Sequence, residues 1–167
     1  MQRTTHNPTK LSRLQLAVRI IGAVLILFVG ADHYYTYSVD DYSVLPTIGT
    51  LFLLNFISAT VVGVLLLAPL ERIFHRFGRA VLEFATLSGV GIAATSLVAL
   101  LVSEQTPLFG FMESNYRPAI VVALASESAA ALSLAVLLVL TIRDRRSVGE
   151  TRRPSVAERP RASAGTT

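Results

Sequence analysis

AIVVALASESAAALSLAVLLVLTI, residues 119–142, runs directly into Arg143-Asp144-Arg145-Arg146. Twenty-four residues carry one charged side chain, Glu127. As a helix rising 1.5 Å per residue the stretch extends about 36 Å, enough to cross the roughly 30 Å hydrocarbon core of a bilayer. Pro118 precedes it and suits a first helical turn, where the missing N–H has no partner to lose. This segment predicts a membrane-spanning helix, not the core helix of a water-soluble domain.

Three more segments read the same way. The first spans about 14–35, with a short apolar core from Ile20 to Ala31, Arg19 snorkelling at one end and the Tyr34–Tyr35 pair at the other interface. The second spans about 46–68, between Pro46 and Pro69, and the third about 80–102. The expected fold is therefore all-α: a membrane four-helix bundle over 14–142, flanked by a polar N-terminal arm (1–13) and a disordered basic tail (143–167). The basic start and Val29-Gly30-Ala31 also fit a secretory signal cut after Ala31, but the chain beyond that point is a further series of apolar spans.

Charge sets the orientation. The N-terminal arm with Arg19 holds four Lys or Arg, the 69–79 loop three and the tail seven, while the two remaining loops hold only Arg117. Fourteen against one, alternating as four spans require, places both termini in the cytoplasm and disfavours insertion in two opposite orientations. The arginines flank apolar spans and no aromatic residues interleave with the basic tail, so the positive charge reads as contact with anionic lipid headgroups, not nucleic acid. The expected location is the bacterial plasma membrane.

Several chemistries are excluded. The 167 residues include no Cys, which removes disulfides, thiolate metal sites and thiol redox relays. No phosphate-binding glycine loop, H-E-x-x-H or nucleophile elbow is present. We expect no catalytic set, no cofactor and no metal, and do not read the chain as an enzyme.

Polar groups inside the spans need a reason, because each costs a few kcal/mol in hydrocarbon. Glu127 and Asn55 each lie roughly 12–13 Å from the outer end of their helices. They are expected to face each other and hydrogen-bond, with Thr95 and Ser96 completing an intramembrane cluster. Glu127 reads either as a proton, cation or ligand site or as a structural carboxyl joining two helices. Arg19 and Glu83, level near the cytoplasmic end, form a candidate ion pair. Asp32, His33 and Glu113 are outer-face candidates for an enzymatic or sensing role. Helix contacts are expected along Ala85-Gly89-Ala93, Ala59-Gly63 and Ala125-Ala129-Ser133, where small residues recur every four.

Two stretches carry a resemblance: Val44-Leu45-Pro46-Thr47-Ile48-Gly49-Thr50-Leu51-Phe52-Leu53-Leu54-Asn55, and Pro107-Leu108-Phe109-Gly110-Phe111-Met112-Glu113 with Glu127 fourteen residues on. Over about 18–142 the chain resembles a group of uncharacterised small four-helix integral membrane proteins of actinobacteria. Fourteen of its fifteen basic residues are Arg, which suits a high-GC genome. The resemblance implies the same fold and location, supplies no activity, and draws attention to Asn55, Glu113 and Glu127. Short loops and small-residue faces lead to the expectation of a structural or accessory subunit of a membrane complex. The alternative is a small oligomeric proton- or cation-coupled transporter centred on Glu127.

Overall fold

The computed structural model describes residues 8–74, 76–110, 112 and 118–151, with side chains described within 12–146. Among the described residues five α-helices form: α1 (Pro8–Ser38), α2 (Pro46–Leu67), α3 (Leu70–Ile73), α4 (Gly78–Ser103) and α5 (Pro118–Thr151). A 3-10 turn, Tyr42–Val44, precedes α2. Four of the helices are long and apolar enough to span a membrane: Ser12–Ser38, Pro46–Leu67, Gly78–Ser103 and Pro118–Arg146.

The helix ends follow local chemistry. Pro46 and Pro118 occupy the first position of α2 and α5. Ala68, the residue before Pro69, is extended at φ −68° and ψ 144°, as clash with the proline ring dictates, and α2 stops there. Both outer helices run past the apolar limits read from the sequence. α1 begins at Pro8 and ends at Ser38, and α5 continues beyond Ile142 to Thr151. The extension of α5 is held against α4 by Arg79–Asp144 (3.1 Å) and Glu83–Arg145 (2.9 Å). Residues 1–7 of the N-terminal arm and 152–167 of the tail lie outside the described residues.

The spans form a ring in the order α1–α2–α4–α5, with each helix packed on its two neighbours and α1 only grazing α4 across the diagonal. Two of the expected small-residue faces are at the contacts: Ala85, Gly89 and Ala93 of α4 and Ala59 and Gly63 of α2 are buried. Leu134 of α5 fills the notch over Gly89, and Leu27 of α1 the one over Gly63. On α5 the expected face is displaced. Ala125 is exposed, and Ser126, Ala130, Leu134 and Leu137 are buried instead. Large residues enter the bundle here because the glycines opposite leave them room.

The exterior is as apolar as the interior. Phe84 is 71% exposed, Leu132 69%, Leu87 58% and Val98 58%, and similar side chains coat all four spans. Monomeric soluble proteins rarely expose large contiguous apolar patches. This surface matches lipid, and the chain is a multi-pass membrane protein. One end of the bundle, the acidic end, gathers Asp32, Asp40 and Asp41. The other, the basic end, gathers Arg19, Arg72, Arg76, Arg79 and Arg145.

Candidate functional site

The interior stripe of α1 runs Ala23, Ile26, Gly30, His33, at steps of three and four, and all four residues are buried. His33 therefore points into the bundle about one and a half turns from the acidic end of α1, not outward at its rim. Its Nδ1 lies 2.9 Å from the Val29 carbonyl oxygen. A carbonyl only accepts, so Nδ1 carries a hydrogen and Nε2 of the neutral ring is an acceptor.

Ser96 of α4 is the hub of the polar cluster. Asn55 Nδ2 donates to Ser96 Oγ at 2.7 Å. Ser96 Oγ lies 2.9 Å from His33 Nε2, and Ser96 also hydrogen-bonds Glu127. Glu127 Oε1 stands 3.7 Å from His33 Nε2. Asn55 and Glu127 are thus joined through Ser96, not to each other. α2 and α5 sit on opposite corners of the ring, and α4, lying between them, supplies the bridge.

A hydroxyl has one hydrogen and two lone pairs. With one added proton on Glu127, the chain closes: Asn55 and Glu127 donate to Ser96, Ser96 donates to His33, and His33 donates to Val29. With Glu127 ionised, the Ser96 hydrogen faces two acceptors and serves one of them. With the proton on His33, Nε2–H faces both Ser96 and Glu127 and the pair becomes ionic. The geometry thus offers a proton two acceptors, Glu127 and His33 Nε2, 3.7 Å apart.

These groups line a cavity of about 500 Å³ that extends to Asp32, Asp40 and Tyr42 at the acidic end. Gly49 permits the close approach of the 3-10 turn there, since a Cβ would lie 2.5 Å from the Tyr42 carbonyl oxygen. The Tyr42 ring packs on Phe52 with centroids 5.2 Å apart, and Phe52 packs on the His33 ring at 5.0 Å. Glu127 is 2% exposed, and its Oε2 has no hydrogen-bond partner, nor does Asn55 Oδ1. Buried polar atoms left in this state lie beside a cavity with room for water or a ligand to pair with them.

The other candidates separate from this cluster. Thr95 lines the cavity from an exposed position, and Asp32 lies on its wall. Glu113 falls outside the described residues. Arg19 donates to the carbonyl of Leu66 (2.6 Å), which the end of α2 leaves without a backbone donor, and to that of Ala68 (2.5 Å), which also accepts from the Leu70 N–H, while Glu83 is taken by Arg145. Among the described residues no three His, Asp or Glu side chains converge on a metal position. Sequence reasoning placed His33 in the wrong company. The signal was available in the three–four spacing of Ala23, Ile26, Gly30 and His33, with Tyr34 and Tyr35 turned outward at 47% and 55% exposure.

No protein-family model, curated protein or solved structure matches the chain.

Proposed function

We propose that this protein is a small proton- or cation-coupled carrier of the plasma membrane, with Glu127 as its exchange site and His33 and Ser96 as the groups that share its proton. The observation that carries the reading is the partnerless oxygen of a carboxylate only 2% exposed, beside a cavity whose described lining holds no Lys or Arg. Glu83 Oε1 also lacks a hydrogen-bond partner, but Glu83 is neutralised by Arg145, whereas Glu127 has only His33, neutral or charged, as a basic neighbour among the described residues. Both termini are assigned to the cytoplasm from the arginine distribution, which makes the acidic end the external mouth and lets the basic end contact anionic headgroups.

The subunit reading draws on one feature. Ala125 and Ser128 leave a shallow exposed patch on α5, with half-buried Ala129 beside it, which suits a second copy or a partner helix. The small residues Ala59, Gly63, Ala85, Gly89 and Ala93 are consumed within the bundle and add nothing to this patch. Four helices seldom enclose a complete pathway, so a homo-oligomer through this patch suits the carrier as well.

The proposal is tested by infrared difference spectroscopy of the reconstituted protein between acid and alkaline pH. A protonated-carboxyl C=O band should appear and vanish reversibly, be absent in Glu127→Gln, and shift in frequency in Ser96→Ala. A spectrum with no band assignable to Glu127 would make the carboxyl structural.

A further inference from the structure

The two unsatisfied atoms at the cavity, Glu127 Oε2 and Asn55 Oδ1, are both acceptors. Groups that offer only lone pairs call for a ligand that brings hydrogens. Three carboxylates, Asp32, Asp40 and Glu127, face the same space, and its described lining includes neither Lys nor Arg, so the hydrogens arrive with positive charge. Phe52 and Tyr42 add aromatic rings to the wall, and such rings attract cations. Most of the remaining wall is apolar, so the ligand has a hydrocarbon body. The volume of about 500 Å³ lies within the range of small-molecule sites.

The cavity also has a side door. Leu51, Leu54 and Ser58 of α2 and Gly91 and Thr95 of α4 line it and are at the same time exposed on the outside of the bundle. A Cβ added at Gly91 would meet nothing within 4 Å. Of the four neighbouring helix pairs, α2 and α4 pack least extensively. The opening therefore lies between these two helices, on a surface that a spanning bundle turns to lipid.

We propose that this pocket takes a lipophilic primary or secondary amine in its protonated form, which enters from the bilayer between α2 and α4 and ends with its N–H groups on Glu127 and Asn55. The inference rests on the exchange-site reading of Glu127 and adds the class of ligand. Docking of the ammonium on the carboxylate displaces the proton Glu127 held, which leaves to water at the acidic end. One cation replaces one cation, and the buried charge is conserved. A quaternary ammonium carries the same charge without hydrogens and cannot satisfy either acceptor.

The experiment is equilibrium binding to the full chain in nanodiscs of zwitterionic lipid, with radiolabelled 4-phenylbutylamine and 4-phenylbutyltrimethylammonium compared. The two share a tail and a charge, so partition into lipid is measured alike in empty nanodiscs and subtracted. The amine is expected to bind saturably, about tenfold tighter than its trimethyl analogue, and to lose about tenfold in Glu127→Gln, as the loss of charge-assisted hydrogen bonds requires. Gly91→Leu should slow entry of the amine. Absence of saturable amine binding, or equal binding of the two probes by wild type, overturns the inference without needing any variant to fold. If the Glu127 infrared band titrates while no amine binds, the exchange site stands and the ligand class falls. If no band titrates, both fall.

Discussion

Ser96 has the most partners of any side chain in the polar cluster: it accepts from Asn55 and is shared by His33 and Glu127. Replacing it with Ala removes the hydrogen-bond partner of both Asn55 Nδ2 and His33 Nε2, at about 0.5–1.5 kcal/mol per bond. Ser96→Ala is expected to unfold at clearly lower denaturant in detergent micelles, whereas Thr95→Ala, removing an exposed hydroxyl, is expected to change the midpoint little. Equal midpoints for the two variants would show that the Ser96 hub does not form. The residue types of this site were legible in the sequence, since Asn55, Ser96 and Glu127 stand out as polar groups at matched depth. Their wiring was not. Depth along a helix fixes which residues are level but not which corner of the ring each helix occupies, and the α2–α5 diagonal made a direct Asn55–Glu127 bond unreachable.

At the scale of the helices, the glycines divide by what faces them. Gly49 abuts the backbone of Tyr42, which cannot swing aside as a side chain can, so Gly49→Ala must push the 3-10 turn off the start of α2. Gly91 faces open space, and Gly91→Ala gains about 1 kcal/mol of helix propensity at no steric cost. Thermal unfolding in micelles should therefore separate the pair, lower for Gly49→Ala and unchanged or higher for Gly91→Ala. A loss of stability in Gly91→Ala equal to that of Gly49→Ala would contradict the open side of the cavity. The four spans and their proline boundaries were readable from hydropathy because lipid tolerates so few charges. The ends of α1 and α5 were not, because beyond the apolar limit the helices are held by ion pairs such as Arg79–Asp144, which hydropathy does not register. Nor was the face that α5 presents, since Ala is common all round it and a four-residue spacing alone does not say which stripe meets a partner.

The whole molecule is a mostly apolar chamber that holds one polar cluster, inside an apolar shell charged oppositely at its two ends. The cysteine-free sequence makes its orientation easy to read. A single Cys replacing exposed Ser43, in the 3-10 turn at the acidic end, is expected to react with a membrane-impermeant maleimide in intact cells. A Cys replacing exposed Ser12, at the basic end, should react only after the membrane is opened. The reverse pattern would invert the positive-inside assignment while leaving the chamber intact.

Carrier and ligand site alike require that the chamber be open to water, and two positions of similar depth test it. Thr95 and Ala125 lie eight and seven residues from the acidic ends of α4 and α5, roughly 12 and 10 Å in, and both are exposed, but Thr95 lines the cavity and Ala125 does not. The measurement is the rate of impermeant-maleimide labelling of Thr95→Cys and Ala125→Cys in reconstituted vesicles, with Ser43→Cys reporting which molecules present the acidic end. Thr95→Cys is expected to react from the acidic side and Ala125→Cys, buried in lipid, to stay inert. If neither position reacts while Ser43→Cys does, water does not reach the chamber and Glu127 is a sealed structural carboxyl.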